Sequence, residues 1–165
     1  MPPPLRAAAP FGIGYRPQTD DDLPFVAALY AAGRAEELAP VPWPQEAKDA
    51  FLTQQFEAQH RNYRGHFTGA EWLVIERAGE PIGRLYLVEW PDEFRVIELG
   101  LIAASRGGGI GGAILSDVQA MAAAAGKKVS MHVEKMNPAR RLYERLGFGF
   151  REDKGIYELI EWRPG

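Results

Sequence analysis

The chain of 165 residues contains no cysteine, and this absence excludes several chemistries at once. It excludes disulfides, thiolate metal sites and a cysteine nucleophile, and a reducing cytoplasm is the expected location. The three histidines, His60, His66 and His132, lack the spacing of metal ligands, so no metal is expected. A net charge of −3 argues against a nucleic-acid partner, which a basic surface would attract.

Long apolar runs and domain linkers are missing as well. No stretch is apolar enough to span a bilayer, so a membrane partner is not expected. Prolines and a glycine interrupt residues 1–12, which predicts a flexible N-terminal tail. A hydrophobic content of 46% is enough to bury one substantial core, so residues 13–165 are predicted to form a single domain.

Hydrophobic periodicity predicts the order of the secondary-structure elements. A strand ending near Arg16 precedes a helix capped by Thr19, and a second helix covers residues 45–63. An antiparallel meander of three strands follows, and then a helix over residues 110–125, a strand, a helix from Pro138 capped by Asn137, and two closing strands. This order predicts an α/β fold with a mixed sheet of about six or seven strands and about four helices.

Five glycines stand among residues 107–112, between a predicted strand and a predicted helix. The N–H groups at a helix N-terminus have no intrahelical partner and, together with the helix dipole, they attract anions such as phosphate. Glycines allow a phosphate to approach that backbone closely. A flexible surface loop is the alternative, but the position between a strand and a helix favours a phosphate cradle.

The phosphate ligand itself stays open on this pattern. Gly107, Gly109 and Gly112 also satisfy the G-x-G-x-x-G pattern of dinucleotide-binding folds, and Glu134 lies near the spacing expected for a ribose contact. The antiparallel strands before the loop and the short chain after Glu134 oppose that alternative. A P-loop is excluded because neither Lys-Ser nor Lys-Thr follows the last glycine.

Two motifs carry a family resemblance: "RGGGIG" at residues 106–111 and "NPARRLYERLGF" at residues 137–148. In this order they resemble the GNAT superfamily of N-acetyltransferases, bacterial members in particular, whose acetyl-CoA loop has the pattern Q/R-x-x-G-x-G/A. The resemblance extends over residues 13–162. It implies that acetyl-CoA is the co-substrate and that its binding residues are Leu99, Gly100, Leu101, Arg106, Gly107, Gly108, Gly109, Ile110, Gly111, Gly112 and Asn137.

The resemblance also implies how acetyl transfer would proceed. Two strands, the fourth and the fifth, part in this family and leave a wedge where the thioester meets the amine, and Tyr143 is the expected acid for the departing thiolate. Helical spacing alone would make Tyr143 a core aromatic, and Asn137 is fully explained as a helix cap. Glu98, His132 and Glu134 are candidates for the base that takes the proton of the amine, and nothing in the sequence decides between them.

The acceptor is the least determined part of the prediction. The resemblance places it beside the first two helices, with Glu36, Glu37, Gln55, His60 and Tyr63 as lining residues, although a solvated helix face explains them equally well. A small amine, an amino acid, an antibiotic and a protein or peptide N-terminus all remain open. The sequence therefore predicts an acetyl-CoA-dependent N-acetyltransferase acting on a primary amine, with a non-catalytic acyl-CoA sensor or scaffold as the alternative. A homodimer is compatible with the resemblance.

Overall fold

Seven strands build one sheet in a computed structural model that describes residues 1–165. They are β1 (Ile13–Pro17), β2 (Glu71–Arg77), β3 (Glu80–Glu89), β4 (Glu93–Leu101), β5 (Lys128–Glu134), β6 (Gly149–Lys154) and β7 (Tyr157–Trp162). The helices are α1 (Leu23–Leu38), α2 (Gln45–His66), α3 (Ile110–Ala124) and α4 (Arg140–Arg145). The predicted mixed α/β architecture is confirmed, with the strand order β1-β2-β3-β4-β5-β7-β6.

The chain forms two compact units. Residues 1–17 and 70–165 contain the whole sheet with α3 and α4, and residues 18–69 contain α1 and α2. In the helical unit, Val26 and Leu29 of α1 and Leu52 and Phe56 of α2 are buried. The single domain expected over residues 13–165 stays a prediction.

The core of the sheet unit lies between the sheet and α3. Alternate residues of the strands point to this core, as expected for a sheet with one apolar face. The buried side chains include Leu85, Leu87, Val96, Val129 and Met131 from the strands and Ile114 and Val118 from α3.

The first hairpin of the predicted antiparallel meander, β2 with β3, is confirmed. Its turn residues Ala78 and Gly79 both have positive φ, 51° and 78°, as a type I′ turn requires.

The strand pairings around β4 define the centre of the sheet. β4 pairs antiparallel with β3 along its length, with a register shift that places Tyr86 opposite Glu98 and Leu87 opposite Val96. Ile97 is therefore the extra residue of a β-bulge. On its other edge β4 pairs parallel with β5, but only from Glu93 opposite Lys128 to Val96 opposite Met131.

Two local expectations differ from the structure. The last helix was expected to begin at Pro138, but α4 begins at Arg140, because the side chain of Asn137 accepts the N–H of Ala139 at 2.8 Å and forms a turn first. Residues 6–12 differ from the expected flexible tail, because Ala8 is fully buried and residues 9–11 form a 3₁₀ turn.

Candidate active site

The glycine loop lies where the sequence predicts it, between β4 and α3. A 3₁₀ turn at Ala103–Ser105 follows β4, and α3 begins at Ile110 with Gly109 as its N-cap. Gly107 and Gly109 have φ of 78° and 93°, in the left-handed region where a side chain is strained. These two glycines turn the chain so that the first amides of α3 lie at an exposed loop.

The exposed side of the loop offers an anion-binding surface. Residues 107–109 are exposed, and a Cβ added to Gly108 would meet no atom within 4 Å. The N–H groups of residues 109–112 precede the first helical hydrogen bond, which Ala113 donates to the carbonyl of Gly109 at 3.0 Å, and the positive end of the helix dipole lies with them. The local geometry therefore suits a phosphate or pyrophosphate group.

Three other residues of the predicted loop have structural roles. The side chain of Arg106 donates from Nε to the carbonyl of Leu101 at 2.9 Å, which ties the loop back to the end of β4. A Cβ on Gly112 would lie 3.1 Å from Cδ1 of Leu142, so this glycine allows α4 to approach α3 closely. A Cβ on Gly111 would make an ordinary contact with Leu101 at 3.8 Å.

The edge of β4 that faces β5 is unpaired beside the loop. Leu99, Gly100 and Leu101 pair only with β3, since the pairing with β5 ends at Val96 although both strands continue. The backbone N–H and C=O groups of successive strand residues point to opposite edges in turn, so the edge of residues 99–101 that faces β5 retains backbone groups for a third chain. The expected parting of the fourth and fifth strands is therefore present.

Gly83 is a residue of this region that the sequence analysis missed. A Cβ on Gly83 would lie only 2.2 Å from the carbonyl oxygen of Gly100 across the β3–β4 pair. A glycine inside a strand is the sequence signal for such a close approach. Gly83 therefore allows residues 99–101 of β4 to lie close against β3.

Tyr143 and Glu98, predicted separately as acid and base, lie close enough to influence each other. Burial, and secondarily the negative charge of Glu98, raises the pKa of the Tyr143 hydroxyl. The ring of Tyr143 packs against the core, with its centroid 6.3 Å from that of Phe148. The side chain thus has both the packing of a core aromatic and a charged neighbour at the edge of the core.

A buried cation lies beside the carboxylate of Glu98. Nη2 of Arg84 lies 4.0 Å from Oε2 of Glu98, and the Arg84 side chain is only 4% exposed. Arg84 also lies over the ring of Tyr86, which is the cross-strand neighbour of Glu98. The guanidinium of Arg84 therefore lies at ion-pair distance from the carboxylate of Glu98.

His132 belongs to a different cluster. Its Nδ1 lies 3.4 Å from Nη1 of Arg95, and its pKa is lowered by burial and by the charges of Arg95 and Lys154. Arg95 also donates to Ser130 at 2.7 Å and pairs with Glu93 at 3.8 Å. Since guanidinium is only a donor, it occupies the Nδ1 lone pair of the imidazole.

The five candidate acceptor residues all lie in the helical unit. Glu36 and Glu37 are exposed at the end of α1, and Glu37 accepts from Nε of Arg34 at 2.7 Å. Gln55, His60 and Tyr63 are half-buried on α2, where His60 stacks with Phe56 at 6.0 Å between ring centroids. Their role in acceptor binding stays a prediction.

Two further features bear on ligands and partners. No group of three or more carboxylate, imidazole or thiolate side chains is placed to hold a metal ion. None of the helices combines the length and apolar character of a membrane span.

The sheet has one parallel pair, β4 with β5, whereas the dinucleotide-binding alternative requires a mainly parallel sheet.

Comparison with known proteins gives a family and a set of similar folds. Residues 68–149 match the model of the acetyltransferase (GNAT) domain. The PaiA N-acetyltransferase of Thermoplasma acidophilum, solved with coenzyme A, has a TM-score of 0.67 at 14% identity, covering 92% of this chain and 99% of that one. A GNAT family acetyltransferase of Elizabethkingia anophelis with acetyl-CoA bound has a TM-score of 0.59 at 18% identity, covering 93% and 99%.

A third solved structure of similar fold holds a bisubstrate analogue. Arabidopsis thaliana Naa50, in complex with the bisubstrate analogue CoA-Ac-MVNAL, has a TM-score of 0.61 at 16% identity, covering 91% of this chain and 97% of that one. No curated protein matches the sequence. At these identities the solved structures establish a shared fold. Together with the family match, they show that the chain carries a GNAT acetyltransferase domain, as its two motifs predict.

Proposed function

We propose that the protein binds acetyl-CoA at residues 106–112 and transfers its acetyl group directly to a primary amine. The exposed amides at the start of α3 suit the pyrophosphate of this co-substrate. Coenzyme A and acetyl-CoA are the ligands bound in two proteins of the same fold. The acyltransferase family of residues 68–149 supports the same chemistry.

The separation of β4 from β5 beyond Val96 and Met131 is the observation that carries this proposal. An extended ligand arm can pair with the unpaired edge of residues 99–101 as an added strand. The carbonyl of Gly100 faces β3 and that of Leu101 accepts from Arg106, so Leu99 supplies most of that pairing. An arm lying there would bring its reactive end toward Glu98, which precedes Leu99 on the same strand.

Glu98 is a better base than His132. An alkyl amine with a pKa near about 10 is mostly protonated at neutral pH and must lose its proton before attack. A carboxylate is a proton acceptor, and that of Glu98 lies near Tyr143. The acceptor nitrogen of His132 is engaged by Arg95 instead.

Tyr143 then serves as the acid. The amine nitrogen bonds to the thioester carbon, a backbone amide of β4 stabilises the oxyanion, and the C–S bond breaks as the carbonyl reforms. The sulfur leaves as a thiolate, whose pKa is near about 8.5, and it takes the proton of the tyrosine hydroxyl. The attacking nitrogen gives up its second proton, which restores the hydroxyl of Tyr143. A raised pKa keeps that hydroxyl protonated throughout the neutral range.

For the acceptor we propose a small or peptide amine that is recognised by the helical unit. Glu36 and Glu37 supply negative charge on α1, which attracts cationic amines. The peptide portion of the analogue bound by Naa50 is consistent with a peptide acceptor. A screen of free amino acids, polyamines and short peptides, read by release of free thiol, separates these classes.

Calorimetric titration with acetyl-CoA, CoA and NAD tests the co-substrate. Gly108→Glu places a carboxylate in the cradle without a positive φ and should abolish binding of acetyl-CoA and CoA. Gly149→Glu, at an exposed position on β6 with equal space, should bind as the parent does. Failure of the folded parent to bind either CoA ligand would refute the proposal, and NAD binding would restore the dinucleotide alternative.

Turnover separates the enzyme from an acyl-CoA sensor. Glu98→Gln and Tyr143→Phe should bind acetyl-CoA as the parent does but release thiol far more slowly in the presence of an accepted amine. A sensor would bind acetyl-CoA tightly, while the parent and both variants released no thiol with any amine. The proximity of Glu98 and Tyr143 favours the enzyme.

A further inference from the structure

The N-terminal segment is held by a buried carboxylate on α3. Asp117 is 2% exposed, and its Oδ1 accepts the N–H of Ala7 at 2.7 Å. Its Oδ2 accepts the N–H groups of Ala8 at 3.0 Å and of Arg6 at 3.2 Å. Three consecutive amides directed at one carboxylate satisfy a charge that the core could not otherwise hold.

Asp117 lies near β1, and the N-terminal segment itself packs into the core. The pKa of Tyr15 on β1 is raised, mainly by burial and also by the negative charge of Asp117. Ala8 has no exposed surface and is part of the core cluster that includes Ile114 and Val118 of α3. The segment is therefore attached to α3 by both hydrogen bonds and apolar packing.

The same segment reaches the glycine loop. After the anchor at Ala8, the chain turns through residues 9–11 and leaves at Gly12, which has a φ of 74°. The ring of Phe11 packs against the core, and a Cβ on Gly109 would lie 3.5 Å from its Cζ. Gly109 precedes Asp117 by eight residues, or about 12 Å along a helix, so the segment contacts α3 at two distant points.

We propose that residues 6–12 form a strap that fixes the glycine loop, and that Phe11 is a positioning residue for acetyl-CoA binding. Gly109 is the left-handed turn that directs the first amides of α3, and glycine by itself allows many backbone conformations. Phe11 limits that freedom from outside the loop. Asp117 holds the segment so that Phe11 stays in place. This inference rests on the proposed binding of acetyl-CoA at residues 106–112.

The proposal requires reciprocal coupling between the strap and the ligand. If the strap stabilises the loop conformation that binds acetyl-CoA, then bound acetyl-CoA must stabilise the strap by the same factor. The amides of Ala7 and Ala8, which donate to Asp117, report on the strap directly. Their hydrogen exchange should therefore slow when acetyl-CoA binds.

The first arm of the test compares Phe11→Ala with Phe11→Leu and Phe150→Ala. Phe11→Ala should raise the Kd and KM for acetyl-CoA by about tenfold, within the usual range of coupling, and leave kcat close to that of the parent. Phe11→Leu keeps apolar bulk and should recover most of the affinity. Phe150→Ala removes a phenyl ring that is 64% exposed on the edge strand β6 and should leave the Kd unchanged.

The second arm measures hydrogen exchange with and without acetyl-CoA, in the parent and in Asp117→Asn, with Asp92→Asn as a control at an exposed turn. Slower exchange at Ala7 and Ala8 on binding, lost in Phe11→Ala, supports the strap. Unchanged affinity in Phe11→Ala, or unchanged exchange in the liganded parent, overturns it while the proposed function stands. A parent that binds no acetyl-CoA overturns both, whereas a strap failure alone leaves the binding of the parent intact.

Discussion

Replacing Gly109 with alanine should destabilise the protein, whereas the same change at Gly108 should not. Gly109 has a φ of 93°, and a residue with a Cβ pays about 1–2 kcal/mol to adopt the left-handed region. Gly108 lacks a positive φ, and a methyl group there would meet no atom within 4 Å. An alanine at a compatible position stabilises by about 0.4–1 kcal/mol, because it reduces the entropy of the unfolded chain.

The two substitutions should thus differ by about 2 kcal/mol in the free energy of unfolding, which corresponds to roughly 4–8 °C in Tm for a chain of this size. Thermal unfolding followed by circular dichroism measures the difference without any ligand. Equal melting temperatures, or a lower one for Gly108→Ala than for Gly109→Ala, would show that the left-handed turn at Gly109 does not exist in solution.

Four other outcomes are expected. Tyr143→Phe should lower kcat by about 10²–10⁴-fold without changing the Kd for acetyl-CoA, and an unchanged kcat would exclude Tyr143 as the acid. Burial raises the pKa of Tyr15, so the native state retains a proton that the unfolded chain releases near about pH 10; stability should fall above that pH, and less steeply in Tyr15→Phe. The pKa of His132 is lowered, so the unfolded chain binds a proton first as the pH falls through about 6.5; stability should decline below that pH, and His132→Gln should remove this component. Asp117→Asn keeps one acceptor oxygen for three amides and should lose about 2–4 kcal/mol in urea unfolding, against a negligible loss for Asp92→Asn.

Sequence patterns predicted the elements whose boundaries depend on neighbouring residues alone. The start of α3 follows from glycines placed before an apolar helical repeat, and the β2–β3 hairpin follows from two residues between alternating runs. The predicted beginning of α4 was wrong by two residues, because the Asn137 side chain closes a turn where a helix cap was expected. Side chains that compete for backbone groups make such boundaries the weakest part of any sequence analysis.

The strap could not be predicted from its own residues. The first twelve residues have neither helical nor strand periodicity, and composition alone indicates a flexible tail. What holds residues 6–8 is a carboxylate more than one hundred residues later, and Asp117 lies within the mainly apolar helix α3. An acid in such a position must find donors, but the sequence does not say which segment supplies them.

The β-bulge at Ile97 explains how one strand serves both the core and the candidate active site. Phe94 and Val96 point into the core before the bulge, and Leu99 and Leu101 pack against the core after it, so the apolar positions change from even to odd. Without the extra residue, Glu98 would share the core face with Val96, where its charge would be costly. With it, Glu98 shares the face of Tyr86, its cross-strand partner, beside the buried Arg84. The shift of the apolar positions from even to odd residue numbers is visible in the sequence itself. It occurs where the pairing of β4 with β5 ends, beside the proposed base Glu98.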